Sequence, residues 1–475
     1  MNDTPRYRFT NARPKLTLCI IQAVYFAFCF VILSAIPRDL PYIVGADAAS
    51  WLEPAKSLLL HKDYVIYDRP EYDLLYRAPV VPTFNAFFLW LGGNEGVTTI
   101  VMAQLVLLSV TSLLIAMIAE SIKRGTGWVA MCLFLINPNS LSAAFLIQSE
   151  TVFVFFLTFS AYTLLQYSEK CRWRDIILSS SFLALATLAR PTTQYLIAMF
   201  PLACWFLLIV RYKRIALTFK RFSQGTVATG LAILLVMPWA LKLAQSEGVP
   251  TLTTAEIRSV YIHDQLLTLE SYRAGISIDE ANAKLSEKNN QNQKTNCGKL
   301  EYNSSARASC FQTHEKSYIS QLFGYPVREY VRPIIKSFAN FFFSGSSGNW
   351  HNLLEAKNQS KLVTIASNVS DQQSVAMATE ILMNFGFLSI LITLFCLLFS
   401  VSLKVMSLFG VFDLIKRRQF AVLTVCLALI AYFFATTLFL GQSRYRVPVE
   451  PYFTVLATFG LVRLLEAIHG KRKQK

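Results

Sequence analysis

The sequence predicts an all-α polytopic membrane protein with about ten transmembrane helices, and three observations carry that prediction. Of the 475 residues 54% are hydrophobic and only 16% are charged, with mean hydropathy +0.41, too apolar a balance for a soluble chain of this length. Apolar runs long enough to cross a bilayer recur from end to end. The short loops between them alternate, with every second one rich in Lys and Arg, as cytoplasmic loops are. The net charge of +16 is therefore loop charge rather than the footprint of a nucleic-acid binder.

Arg6, Arg8, Arg13 and Lys15 precede the first span, about 16–36, and place the N-terminus in the cytoplasm. That run is long and ends without a small-residue cleavage site, so it reads as a retained helix rather than a signal peptide. Residues 37–79 form a first outer loop. In it Trp51, Leu52, Ala55, Leu58 and Leu59 share one helical face and Ser50, Glu53, Lys56 and Ser57 the other, the pattern of an amphipathic helix in a membrane interface. Asp47 opens this helix, either as its N-cap or as an acid held at the membrane surface for chemistry. The run Val80–Leu91, from Arg77-Ala78-Pro79 to Gly92-Gly93, is either re-entrant or part of span two, about 97–119.

Lys123 and Arg124 mark the next inner loop. Spans three and four (about 127–147 and 151–167) are separated only by Gln148-Ser149-Glu150, and spans five and six (about 175–189 and 193–210) only by Arg190-Pro191-Thr192. Span seven, about 226–244, completes an N-terminal core of residues 1–244 and leads into a mostly helical outer domain, 245–376. Cys297 and Cys310 are the only cysteines in that domain, so a disulfide is expected there. It also holds a second amphipathic run, with Val327, Tyr330, Val331, Ile334, Ile335, Phe338 and Phe342 to one side and Arg328, Glu329, Arg332 and Lys336 to another. In the C-terminal part, 377–475, span eight (about 377–403) ends before Lys404 and a further apolar piece reaches Ile415. Spans nine (about 420–440) and ten (about 447–467) flank the outer turn Gln442-Ser443-Arg444-Tyr445-Arg446, and a basic tail closes the chain inside.

This layout puts Asp47, Arg77, Glu150, Arg190, Arg444 and Arg446 on the outer side of the membrane. Ionisable groups in and beside membrane helices tend to mark substrate paths. Arginines there suit a lipid-borne phosphate, which a guanidinium grips through two parallel hydrogen bonds, and carboxylates beside them suit an incoming hydroxyl. Each residue also has a plainer role: Glu150 as a helix start, Arg190 as a snorkelling span end, Arg77 as a loop cation. Arg444 and Arg446 run against the positive-inside pattern, so the plain role explains them least.

These residues also carry a resemblance. Asp47-x-x-x-Trp51-x-x-x-Ala55, Arg77-Ala78-Pro79-Val80-Val81-Pro82, Gln148-Ser149-Glu150-Thr151, Leu185-Ala186-Thr187-Leu188-Ala189-Arg190-Pro191 and Arg444-Tyr445-Arg446-Val447-Pro448-Val449-Glu450-Pro451 resemble the ordered landmarks of the GT-C membrane glycosyltransferases. The bacterial branch related to protein O-mannosyltransferases and lipid A aminoarabinose transferases is the most similar. The resemblance implies transfer of a sugar from a polyprenyl-phosphate donor to a periplasmic or cell-surface acceptor (glycan, lipid or protein), with inversion, by an enzyme of the bacterial inner membrane. It implies Asp47 and Glu150 as catalytic acids and Arg77, Arg190, Arg444 and Arg446 as donor phosphate-binding residues. No metal site follows from the residues. Relatives with an acidic pair in the first loop leave a divalent metal open as cofactor, but here Ala48 follows Asp47. A lipid-linked glycan flippase would also gather arginines at a lipid phosphate, yet it needs a polar path that these spans lack. A glycan polymerase or ligase would share the large outer domain but not the acid straight after span one.

The loop charges make the topology testable. Single cysteines at Lys123, Lys213 and Arg417 should resist a membrane-impermeant thiol reagent in intact cells, and one at Gln291 should react. Labelling of Lys213→Cys from outside would overturn the arrangement.

Overall fold

The computed structural model describes residues 12–36, 46–62, 77–212, 215–288, 297, 300, 304–354 and 387–472. The side chains of the terminal basic runs, residues 37–45 and 63–76 of the first loop, Gln291, and the stretch 355–386 lie outside the described residues. Among the described residues every regular element is helical. Seven segments are long and apolar enough to cross a membrane, and a bent helix pair adds an eighth.

The chain enters through α1 (Ala12–Ala35), followed by α2 (Ala46–His61) and α3 (Val80–Gly92). Trp51, Leu52 and Ala55 of α2 are buried, and Asn85 Nδ2 of α3 donates to the Trp51 carbonyl (3.3 Å). The packed face is therefore not the whole stripe expected: Leu59 is exposed and Ser57 is buried, because α3 covers that side of α2. Helix α3, 13 residues and about 20 Å long, packs against α4 (Gly96–Ile122), and Val80–Ile122 together make one of the seven apolar segments. Gly92 lies against Thr99 and Gly96 against Leu89, and the turn between them needs the positive φ of Gly93 (51°).

Span three is expected as one helix but is broken. Helices α5 (Gly127–Leu135) and α6 (Pro138–Phe145) meet at 56°. Pro138 cannot donate to the preceding turn and forces Asn137 into an extended conformation (φ −64°, ψ 112°). The Asn137 side chain then caps α6 by accepting from the backbone N–H groups of Asn139 and Ser140. All eight residues of α6 are buried. Helices α7 (Glu150–Lys170), α8 (Trp173–Ala189), α9 (Gln194–Tyr212) and α10 (Ile215–Glu247) follow as consecutive neighbours.

The segment after α10 builds α11 (Ala255–Ala274), α12 (Ile278–Lys288), α13 (Ser305–Leu322), α14 (Arg328–Phe343) and α15 (Ser347–Leu354). Leu266, Leu269, Leu285, Tyr318, Leu322 and Phe439 form its own small core. The expected Cys297–Cys310 disulfide is present. A loop of about 15 residues closed this way is worth about 3 kcal/mol in the chain-entropy model. The apolar side of α14 divides in two: Tyr330 and Ile334 join the small core, and Val327, Val331 and Ile335 are exposed.

The last membrane helices are α16 (Phe387–Lys416), α17 (Phe420–Thr436) and α18 (Glu450–Arg472). Lys404 does not end span eight as expected. Helix α16 runs through it, because Glu450 at the start of α18 meets its ammonium at 3.0 Å and removes the reason for the charge to leave the bundle. Helices α16 and α18 run parallel, in a register set by Lys404 beside Glu450 and Ser407 beside Phe453. One step further on, a Cβ built on Gly410 would lie 1.8 Å from the Leu456 carbonyl oxygen and one on Gly460 2.0 Å from the Met406 carbonyl oxygen. Two facing glycines let the backbones touch, the small-residue solution to helix packing in lipid. Gly410→Val should therefore lower the melting temperature of the purified protein, with a loss of about 1–3 kcal/mol from overpacking. An unchanged melting temperature would mean that the two helices are not in this contact.

Candidate active site

Three connectors at one end of the bundle converge: α6 to α7, α8 to α9, and α17 to α18. Each is tied to its neighbours by ordinary hydrogen bonds. Gln104 Nε2 of α4 donates to the Leu146 carbonyl (3.0 Å), holding the approach to Glu150. Tyr432 donates to the Thr192 carbonyl, joining α17 to the Arg190 connector. Tyr261 of α11 donates to the Thr436 carbonyl at 2.6 Å, so the segment after α10 is anchored on the same rim. Burial pushes the Tyr261 phenol well above its usual range, with Tyr445 acting the same way and Arg190 against it.

Glu150, Arg190 and Arg444 form one cluster. Glu150 is the first residue of α7, where the helix dipole favours an acid. Its Oε1 accepts from Arg444 Nε at 2.6 Å and from Arg190 Nη1 at 3.1 Å. The glutamate side chain is 0% exposed, whereas those of Arg190 and Arg444 are 17% and 31% exposed. The carboxylate thus sits behind the two guanidiniums. Its Oε2 has no hydrogen-bond partner among the described residues. Arg190 also lies over the Tyr445 ring, 5.7 Å from its centroid.

Arg446 is placed elsewhere. It is 1% exposed, and its nitrogens donate to Glu450 Oε1 and to the carbonyls of Phe341 and Ser344 at the end of α14. Glu450 is the sealed counterpart of Glu150. Its Oε1 also accepts from Asn139 Nδ2 (3.1 Å), and its Oε2 accepts from Asn137 Nδ2 (3.1 Å) and Lys404 Nζ (3.0 Å). Sequence reasoning assigned no role to Glu450, Lys404, Asn137 or Asn139. The available signals were the polar Asn137-Pro138-Asn139 inside an apolar run and the apolar residues on both sides of Lys404.

Arg77 lies with α2: its Nε donates to Ser50 Oγ at 2.9 Å and its guanidinium lies 4.5 Å from the Trp51 ring centroid. Asp47 is the second residue of α2, and its side chain lies outside the described residues. Among the described residues the one group of side chains with metal-ligand spacing is Cys297, Cys310 and His314, and its two sulfurs are joined in the disulfide. Both guanidiniums take the same oxygen of Glu150, Oε1, and their positive charges oppose a cation beside it.

Two partly exposed guanidiniums meet one buried acid, and guanidiniums are the side chains that grip phosphate through paired hydrogen bonds. Residues 76–241, from the arginine-bearing loop before α3 to α10, match the family described as dolichyl-phosphate-mannose-protein mannosyltransferase. That match contains Arg77, Glu150 and Arg190. No curated protein matches the chain in sequence. Among solved structures, the oligosaccharyltransferase AglB from Archaeoglobus fulgidus, in complex with an inhibitory peptide and a dolichol-phosphate, superposes over 98% of this chain and 52% of its own, with TM-score 0.52 and 11% identity. The same protein in its apo form gives TM-score 0.53 at 12% identity, again over 98% and 52%. Its complex with zinc and sulfate gives 0.50 at 11% identity, over 95% and 49%. The chain spans about half the length of that enzyme. The fold of this multi-pass membrane protein is thus similar to that of a membrane oligosaccharyltransferase, and its residues 76–241 match the mannosyltransferase family.

Proposed function

We propose that the chain transfers a sugar from a polyprenyl-phosphate donor to a hydroxyl-bearing acceptor outside the cytoplasm of a bacterial cell. The observation that carries this reading is the pair Arg190 and Arg444, turned outward from a carboxylate that is itself sealed. A carboxylate in that position holds guanidiniums in place and is shielded from an acceptor. Glu150 is thus assigned to positioning the two arginines, in place of the catalytic role implied by resemblance. The arginines take the donor phosphate. Arg446, committed to Glu450 and two carbonyls, has no role in binding phosphate. Arg77 belongs to the α2 side of the site, where it bonds Ser50 one turn after Asp47 at the start of that helix.

In the reaction the acceptor oxygen attacks the anomeric carbon, the bond from that carbon to the phosphate oxygen breaks, and its electron pair stays on the phosphate. Arg190 and Arg444 stabilise the charge that develops there. Asp47 receives the proton of the attacking hydroxyl. A single displacement of this kind inverts the anomeric centre. No step requires a metal, and Ala48 beside Asp47 provides no second carboxylate for one. The dolichol-phosphate and the peptide bound to AglB belong to the same chemical classes as the donor carrier and one acceptor type.

The assignment separates binding from chemistry. Asp47→Asn, assayed at saturating donor and acceptor, should lower turnover by about 10²–10⁴-fold and leave donor affinity unchanged. Arg444→Ala should lose a charge-assisted hydrogen bond worth roughly 1.5–3 kcal/mol, read as weaker donor binding. Near-normal turnover in Asp47→Asn would leave that residue as a part of the helix start alone. Unchanged donor binding in both Arg444→Ala and Arg190→Ala would end the phosphate assignment.

A further inference from the structure

The sealed cluster around Glu450 lies directly beneath the residues that carry Arg444. Four donors from three elements saturate its carboxylate: Asn137 and Asn139 at the α5–α6 break, Lys404 in the middle of α16, and Arg446 in the turn Ser443–Arg446. The same Asn139 Nδ2 donates to the Ser443 carbonyl at 2.9 Å, one residue before Arg444. Arg446, two residues after it, clamps the turn to the last carbonyls of α14, which have no partner within their own helix. Arg444 is therefore held on both sides by groups that meet at Glu450. Nothing in a merely apolar packing requires this. Lys404, Arg446 and Glu450 are each 5% exposed or less, and burying charges so deep is expensive unless every partner is in place.

We propose that Glu450 is a positioning residue for donor binding: with Lys404, Asn139 and Arg446 it fixes the Ser443–Arg446 turn so that Arg444 reaches Glu150 and faces the donor phosphate. This rests on the phosphate reading of Arg444 given above. Glu450 itself touches no substrate.

The test uses the full-length protein in detergent, with a short-chain polyprenyl phosphate as the binding probe. Glu450→Gln should weaken binding by about tenfold to a hundredfold, and combining it with Arg444→Ala should weaken it no further than Arg444→Ala alone. The double variant Glu450→Gln/Lys404→Met removes the buried Glu450–Lys404 pair, leaves Arg446 on its two carbonyls, and should melt closer to the parent than Glu450→Gln alone while still binding weakly. Losses from Glu450→Gln and Arg444→Ala that multiply, or binding by Glu450→Gln as tight as the parent's where Arg444→Ala binds weakly, would overturn the proposal. A readout independent of the donor is the ¹⁹F resonance of fluorotyrosine at Tyr445: Glu450→Gln should move it, and an unmoved resonance would equally overturn the proposal. If Arg444→Ala and Arg190→Ala both leave probe binding intact while that resonance moves, it is the phosphate reading that fails and the positioning role that stands.

Discussion

The contact on which the rest of this structure depends is the one between the Glu150 carboxylate and two arginines that are 40 and 294 residues away in sequence. It joins α7, the α8–α9 connector and the α17–α18 connector through a single oxygen atom. Desolvating three charges is tolerable only if they satisfy one another, so the arrangement fixes where those connectors sit as strictly as any packed side chain. The second cluster repeats the device. Glu450 also opens a membrane helix and also gathers cations, but all of its partners are sealed. One acid at a helix start organises an exposed pair of arginines; the other organises the scaffold behind them.

Helix length explains why such charges can lie inside a membrane protein at all. Helices α8 and α17 have 17 residues each, about 25 Å, whereas α10 has 33 and α16 has 30, about 50 and 45 Å. A bilayer core is about 30 Å thick. Short helices carry the connectors at Arg190 and Arg444, and longer ones stand around them. Tyr261, reaching from α11 to the end of α17, ties the outer segment to the same connectors. The exposed Val327, Val331 and Ile335 of α14 are where an amphipathic helix would meet lipid.

Much of this was legible in the sequence because two rules act on single residues. Hydrophobic runs show where helices cross, and loop charge shows which ends lie together, which was enough to gather Glu150, Arg190 and Arg444 from distant parts of the chain. What the sequence concealed was pairing. Lys404 reads as the end of a span until Glu450 is known to lie beside it, since an unpaired ammonium would have to leave the apolar core and a paired one need not. Arg446 reads as a second phosphate ligand beside Arg444, yet the single helical turn Ser443–Arg446 sends the two side chains to different carboxylates. The break at Pro138 was visible as a residue, but a proline alone does not tell whether a helix kinks or ends. The cap supplied by Asn137 decides that.

The charge balance of the exposed cluster bears on how catalysis and release would be divided. Two guanidiniums meet one carboxylate oxygen, and on the proposed reading they face a polyprenyl-phosphate sugar, a phosphodiester with one negative charge. As the bond to the sugar breaks, the phosphate gains a second negative charge, and the attraction grows along the reaction coordinate. Interactions stronger in the transition state than in the ground state are the ones that accelerate a reaction. The same growth holds the spent carrier more tightly than the donor. Removing Glu150's negative charge from beside the arginines would tighten both complexes, so on the proposed reading its value lies in moderating the grip as well as in aiming the arginines. A site built on arginines alone would bind its donor well and release its product poorly.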